Sequence, residues 1–310
     1  MAFDRQIIGA RLSELARVGV YVGTSSWKYP GWRGKLYDDA RYAYRGKFAE
    51  SRFERNCLAE YAEVFKTVCV DAAYYKFPDA KYLRELVGQV PPEFRFAFKV
   101  TDDITIKRFT NLPRFGARAG MPNPRFLDAD LFKDCFLKPC EPYQASVGLL
   151  MFEFSRFYSS DYEHGREFLA DLDRFLDALP KGLPYGVEMR NREWLRPEYF
   201  TCLARHGVTH IYNSWEAMPP VGEQMELAGS LTNPRLAAAR FLLKPGRRFE
   251  EAVKMFQPYQ EPKEINEAAR AAGRKLIALG KAKRDPGKTF IFVNNRMEGN
   301  ALETIAAMVG

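Results

Sequence analysis

Histidine is scarce in this sequence, with three residues in a chain of 310. His164 falls in a helical pattern and is expected on the surface. His206 and His210 have i, i+4 spacing, but Gly207 and the β-branched run after it place them across a helix-to-strand turn rather than on one helical face. The histidines therefore predict no metal site, and we expect the protein to work without a metal or another cofactor; a magnesium ion held by carboxylates is the alternative.

Paired cysteines are lacking as well. The five cysteines are odd in number, and Cys135 and Cys140 have no second pair with which to complete a zinc site. We interpret all five as reduced thiols of a cytoplasmic protein. The sequence has no run of about 18 apolar residues, and its charged amino terminus is unlike a signal peptide. These features predict that the protein has no membrane partner.

Two familiar motifs are also missing. No G-x-S-x-G occurs, which argues against the nucleophile elbow of an α/β-hydrolase. No G-x-G-x-x-G turn follows the first apolar run, so a dinucleotide-binding sheet would lack its phosphate turn.

Short apolar runs, by contrast, are abundant and alternate with helical patterns. Candidate strands fall at residues 18–23, 67–75, 94–100, 147–154, 183–190, 208–213, 236–243 and 289–295. Candidate helices fall at residues 46–65, 79–88, 128–138, 162–179, 196–206, 263–284 and 299–309, after a short amino-terminal helix. Eight such units predict an α/β fold, a single (β/α)8 TIM-type barrel over residues 1–310. An open doubly wound sheet is the second interpretation.

Positive charge is distributed unevenly. The net charge is +8, and the whole excess lies in residues 1–125, which indicates either an anionic partner or an ordinary solvated basic surface. Irregular stretches are predicted at 101–127 and 214–235. The first is expected to form a basic loop over the barrel mouth, mobile without ligand. Within 104–127 it has no acid and carries Lys107, Arg108, Arg114, Arg118 and Arg125.

Polar side chains occur at the carboxyl ends of the predicted strands. In a TIM barrel these ends meet at one face, where barrel enzymes carry out their chemistry. Glu188 and Arg190 are two residues apart on one strand, so they point the same way and can pair. The alternative is a structural ion-pair network that closes the mouth. The predicted ring consists of Ser25, Asp71, Tyr75, Lys99, Glu153, Glu188, Arg190, Asn213, Arg240, Asn294 and Asn295.

An aromatic loop, GTSSWKYPGWRGKLY (residues 23–37), follows the first strand directly. It could bury itself as a plug or form the stacking wall of a ligand site. We expect a mixture, with one tryptophan buried under the loop and at least one aromatic, for which Trp27 is the candidate, facing the site.

These motifs together resemble the YecE-like family, known as domain of unknown function 72. The resemblance covers residues 18–309 and implies a single TIM-type barrel without an assigned reaction. The opening motif of the family is matched by Gly23, Thr24, Ser25, Trp27, Tyr29, Pro30, Trp32, Gly34 and Tyr37. Later motifs are matched by Val68, Val70, Tyr75 and Pro78, by Lys99, by Glu188, Arg190 and Trp194, and by Asn294, Asn295 and Gly299.

The chain departs from the pattern of the family that it resembles. The usual glutamate of strand two is Cys69, the usual asparagine is Asp71, and the Gln-Leu-Pro-Pro of strand four starts here with Glu153. Ser26 also replaces a glycine of the opening motif. A carboxylate has in effect moved from strand two to strand four, which indicates a divergent member with an altered ligand preference.

Three functions are consistent with these residues. The first is a metal-independent enzyme acting on a polar or anionic small molecule, phosphorylated or sugar-like, at the carboxyl face of the barrel. Asp71, Glu153 and Glu188 are the candidates for its catalytic acid or base, and a two-carboxylate glycosidase is one version of this function. Its ligand-binding residues would be Ser25, Trp27, Tyr75, Lys99, Arg190, Arg240, Asn294 and Asn295.

The second function is nucleic-acid binding through the basic 104–127 loop, with or without cleavage. The third is a non-catalytic binding barrel.

Overall fold

The computed structural model describes residues 2–282 and 287–310. Eight parallel strands of these residues close into a barrel in which each strand pairs with its neighbours in sequence and the last returns to the first. This confirms the TIM-type barrel, and the open sheet is wrong. The strands are β1 Val20–Thr24, β2 Thr67–Val70, β3 Arg95–Lys99, β4 Val147–Phe154, β5 Tyr185–Met189, β6 Thr209–Ser214, β7 Leu236–Phe241 and β8 Lys288–Val293.

Helices surround the barrel, and α1 precedes the first strand, as predicted. The last two residues of the helix predicted at 263–284 lie outside the described residues. The helices are α1 Arg5–Arg17, α2 Glu50–Val64, α3 Ala72–Tyr75, α4 Ala80–Val87, α5 Asp102–Thr105, α6 Ala129–Phe132, α7 Lys138–Cys140, α8 Gly165–Asp177, α9 Pro197–Arg205, α10 Val221–Glu226, α11 Phe249–Phe256, α12 Glu267–Lys281 and α13 Ala301–Val309. A π-helical turn, Lys133–Leu137, joins α6 to α7.

The second strand is shorter than predicted. β2 ends at Val70, and Asp71 has helical dihedral angles that begin α3. The hydroxyl of Thr101 donates a hydrogen bond to the carbonyl of Ala73, 2.8 Å away, and so ties this turn to the end of β3. The prediction of a strand over 67–75 was therefore wrong beyond Val70.

The stretch at 214–235 contains α10, which the sequence did not reveal. One reason is that the buried face of α10 is partly polar and so does not form an apolar stripe. Its Gln224 is fully buried, and the side-chain amide bonds both the N–H and the carbonyl of Asn213 on β6. A polar anchor of this kind leaves no hydrophobic period to detect.

Side chains alternate between the inside of the barrel and the surrounding helices. A separate apolar cluster that includes Cys69, Ala97 and Met151 fills the interior. Since strand residues two apart share a face, the residues that follow these by two, Lys99 and Glu153 among them, also point inward. They lie one layer higher, at the carboxyl ends of the strands.

The number of paired residues differs from one pair of neighbouring strands to the next. β1 and β2 pair only at Thr24 and Val68 among the described residues, whereas β1 and β8 share five paired positions. The backbones of β1 and β2 nevertheless approach each other closely. A Cβ atom on Gly23 would lie 2.2 Å from the carbonyl oxygen of Thr67, so this position requires glycine. None of the helices among the described residues has both the length and the apolar character needed to cross a bilayer.

Candidate functional site

Five charged side chains meet at the barrel mouth and form what we call the mouth cluster: Lys99, Glu153, Glu188, Arg190 and Arg240. Glu153 is its centre. Its Oε2 atom lies 2.8 Å from Lys99 Nζ, 2.8 Å from Arg190 Nη2 and 2.7 Å from Arg240 Nη1. Three cations from three different strands or strand ends therefore share one carboxylate oxygen.

Glu188 completes the cluster from β5. Its Oε1 accepts a hydrogen bond of 3.0 Å from Arg190 Nε, and its Oε2 accepts one of 2.6 Å from Arg240 Nη1. The predicted pairing of Glu188 with Arg190 is thus present, but each guanidinium also reaches Glu153. The cluster is one network and not a set of separate pairs.

Asp71 lies at the rim of this network. Its Oδ1 is 3.5 Å from Arg240 Nη2, and its side chain is 39% exposed. The thiol of Cys69 lies 3.7 Å from the same oxygen. Among the three carboxylates predicted as catalytic, Asp71 is therefore the one that solvent reaches, since Glu153 and Glu188 are buried.

The charges of the cluster do not balance without Asp71. Three buried or half-buried cations face two buried carboxylates, which leaves one positive charge in a low-dielectric site. Burial alone would raise the pKa of Glu153, but Arg190, Lys99 and Arg240 outweigh it and hold that pKa well below its usual value. Glu153 is thus ionised and cannot donate a proton near neutral pH.

Two aromatic rings flank the cations. Lys99 Nζ lies 3.7 Å from the centre of the Tyr74 ring, and the guanidinium carbon of Arg190 lies 4.1 Å from the Trp215 ring. Tyr75, predicted as the ligand-binding tyrosine, is instead exposed on α3. The helical turn after Val70 is the reason, because it rotates Tyr74 toward Lys99. Sequence reasoning also missed Trp215, although an aromatic directly after β6 was a usable signal.

Several polar atoms at the mouth have no partner among the described residues. They are Ser25 Oγ, Asn213 Oδ1 and Arg240 Nε, and all are buried. Buried polar atoms are normally hydrogen-bonded to protein, ordered water or a ligand. These atoms fit the polar groups of a bound molecule.

The aromatic loop acts mainly as a plug. Trp32 is fully buried and donates from Nε1 to Asn295 Oδ1 at 3.2 Å, while the carbonyl of Trp27 accepts from Tyr37. Asn295 also accepts from the N–H of Ala301, so two structural contacts occupy its oxygen. Trp27 is buried in the main core rather than in the interior of the barrel.

Tyr29 is the loop aromatic that reaches the rim. It is half-buried and packs against the rings of Trp32 and Tyr259. Burial, with a smaller effect of Asp71, raises its pKa to about 12. Asn294, a predicted ligand-binding residue, accepts from the N–H of Arg296.

The cations of the 101–127 loop are paired, contrary to the reasoning from sequence. Their partners are acids that lie outside 104–127, two of them at the start of the same loop, Asp102 and Asp103. The pairs are Arg114 with Asp102, Arg118 with Asp103, Arg125 with Asp128, Arg108 with Asp161 and Lys107 with Asp171. The position of the loop over the mouth stays a prediction.

The fold and the cluster define an α/β-barrel protein with a charged site at the carboxyl ends of its strands. Residues 21–310 match the family model described as protein of unknown function DUF72, and the chain belongs to this family. No protein with a curated description matches it significantly.

Solved structures of the family share the fold. One DUF72 family protein from Enterococcus faecalis is 19% identical, with a TM-score of 0.63, over 93% of this chain and 94% of that one. Another from Thermotoga maritima is 19% identical, with a TM-score of 0.57, over 93% and 97%. At this identity the likeness concerns the fold alone.

Proposed function

We propose that the barrel mouth binds a small anionic molecule and acts on it without a metal. The excess of cations over carboxylates among the buried groups of the mouth cluster, three against two, carries this proposal. A buried net charge costs several kcal/mol unless it is compensated, and the carboxylate that balances it, Asp71, lies at the partly exposed rim, 3.5 Å from Arg240. An incoming carboxylate or phosphate oxygen would bring a negative charge to Lys99 and Arg190, which Asp71 is not seen to contact.

Lys99 and Arg190 are the residues best placed to hold this anion. Each keeps about a tenth of its side chain accessible, whereas Arg240 is more deeply buried. Lys99 has three N–H donors and contacts Glu153 with one. Tyr74 and Trp215 would bound the ligand on either side. Ser25 and Asn213 would bind its hydroxyl or amide groups.

Asp71 is the carboxylate that we assign to proton transfer. A general acid or base has to reach the substrate and change its protonation state. Glu153 and Glu188 are held by cations, so we give them the role of orienting Arg190 and Arg240. A two-carboxylate glycosidase would need an acid with a raised pKa, and the lowered pKa of Glu153 disfavours that mechanism.

Calorimetric titration with inorganic phosphate and with small carboxylates tests the binding proposal. Arg190→Gln should weaken binding about tenfold or more, because a hydrogen bond to a charged group contributes about 1.5–3 kcal/mol. Arg192→Gln, on the exposed turn two residues later, is the matched control and should leave affinity unchanged. Asp71→Asn should strengthen binding, because it removes a negative charge from the rim.

Three results would contradict the proposal. Arg190→Gln and Arg192→Gln could have the same effect, or Asp71→Asn could weaken binding of every anion tested. The unaltered protein could also bind duplex DNA with sub-micromolar affinity at physiological salt. That outcome would favour nucleic-acid binding, the second function considered above, over small-anion binding.

A further inference from the structure

A second group of chemically reactive side chains lies away from the mouth, between α8 and α9. Asp173 comes from α8, Cys202 from α9, and His206 from the residue that caps α9. One donor atom from each lies within 4.8 Å of the others. His206 Nε2 is 2.6 Å and Cys202 Sγ is 3.6 Å from Asp173 Oδ1. We call these three residues the helix-pair cluster.

We propose that the helix-pair cluster binds a borderline divalent cation of the Zn²⁺ type through one sulfur, one nitrogen and one oxygen. Cys202 and His206 are four residues apart, one turn along the same helix, so both face α8. Tetrahedral zinc places its ligand atoms about 3.2–3.6 Å apart. The sulfur–oxygen distance already fits, and His206 Nε2 has to move away from Asp173 by roughly 0.6–1 Å.

Charge favours this ligand set. A divalent cation displaces the proton of a coordinating thiol. One thiolate, one carboxylate and a neutral imidazole then balance a charge of two. The resulting neutral complex suits a site where Cys202 is buried and Asp173 is partly exposed.

A fourth coordination position is available. Asp173 and His206 line a groove of about 1090 Å³ at the amino-terminal ends of the barrel strands, which solvent can enter. Three protein ligands and one water are the arrangement of zinc sites that keep an open position. Arg205 competes for the site, because its guanidinium contacts the same oxygen of Asp173.

Titration of the full chain, freed of metal, with Co²⁺ tests the proposal. Tetrahedral cobalt bound by a thiolate shows intense visible bands and a thiolate-to-metal charge-transfer band. We expect one equivalent to bind, with the charge-transfer band absent in Cys202→Ala and present in Cys140→Ala, a control that also removes a buried thiol. Asp173→Asn should weaken binding about tenfold or more, and Arg205→Gln should strengthen it.

Several outcomes would overturn the proposal. A charge-transfer band that survives Cys202→Ala, or that Cys140→Ala removes, would place the metal elsewhere, and the absence of any band would mean that no thiolate site exists. Circular dichroism reports whether each variant is folded. If Cys202→Ala does not fold, the nearly isosteric Asp173→Asn decides. Unchanged affinity in both Asp173→Asn and Arg205→Gln would mean an adventitious ion only.

Discussion

Arg240→Met is the substitution that most directly tests the mouth cluster. Arg240 is buried, and one of its nitrogens lies within 2.7 Å of Glu153 and 2.6 Å of Glu188. Removing one partner of a buried ion pair costs about 3–5 kcal/mol, because a charge is left uncompensated. Lys99 and Arg190 still contact the carboxylates, so we expect a loss of about 3 kcal/mol in the free energy of unfolding.

Urea unfolding followed by tryptophan fluorescence measures this loss. Arg192→Met is the control, since the exposed Arg192 lies outside the cluster. Adding Glu188→Gln to Arg240→Met removes one of the orphaned charges. The double variant should therefore be more stable than the sum of the single losses predicts, with a coupling energy of about 1–3 kcal/mol.

The stability lost in the single variant Arg240→Met should also depend on pH, in a direction that the pKa of Glu153 sets. The folded pKa of Glu153 is lowered from its usual 4.5. Its ionised form therefore contributes stability that is complete above the unfolded pKa and is lost as pH falls through the folded pKa. Arg240→Met reduces that lowering, so the stability gap between variant and parent should be constant above pH 4.5 and should narrow at lower pH, once the pH falls below the folded pKa of Glu153 in the variant. The reasoning would be refuted if the difference in the free energy of unfolding between Arg240→Met and the parent did not change with pH. A loss of less than about 1 kcal/mol in that free energy at neutral pH would refute it as well.

Three further predictions concern other parts of the fold. Burial lowers the pKa of His210 from 6.5 to about 3, so acidification below 6.5 should cost up to about 1.4 kcal/mol per pH unit, and His210→Gln should flatten that profile in thermal unfolding. Gly23→Ala should abolish soluble expression, because its Cβ would lie 2.2 Å from a backbone oxygen of β2; Gly222→Ala, where the nearest atom is 3.8 Å away, should be tolerated. Arg114→Ala should speed hydrogen exchange in residues 102–118, because it removes the cation that contacts the buried Asp102; unchanged exchange there would contradict this.

The regular part of the fold was predictable from sequence. The run VGLLMFEF is apolar on both faces, and β4 has the bounds predicted from it. Period-two alternation also explains why Lys99, Glu153 and Arg240 could be assigned to one face of one barrel before their contacts were known.

The partners at the site were less predictable, because they depend on how loops and short helices turn. Nothing in the sequence marks Asp71 as the start of a helix, so Tyr75 was chosen where Tyr74 makes the contact. The loop cations were counted over 104–127 alone, which leaves out Asp102 at the start of the same stretch and Asp171, which is distant in sequence but adjacent in space. Asn295 stays a predicted ligand-binding residue: its oxygen accepts from Trp32, whereas its buried side-chain nitrogen has no partner among the described residues.

The short joint between β1 and β2 has a mechanical consequence. A closed ring under strain yields first where its links are fewest, and one paired position joins these strands. Asp71 immediately follows β2 and therefore lies beside this sparsely paired part of the barrel. Glu153 and Glu188 lie on β4 and β5, which share five paired positions. A ligand that draws Asp71 toward Arg240 would need to flex only that joint. The residue assigned to proton transfer thus follows a strand with a single paired position on one side, while Glu153 and Glu188 lie on strands joined by five paired positions.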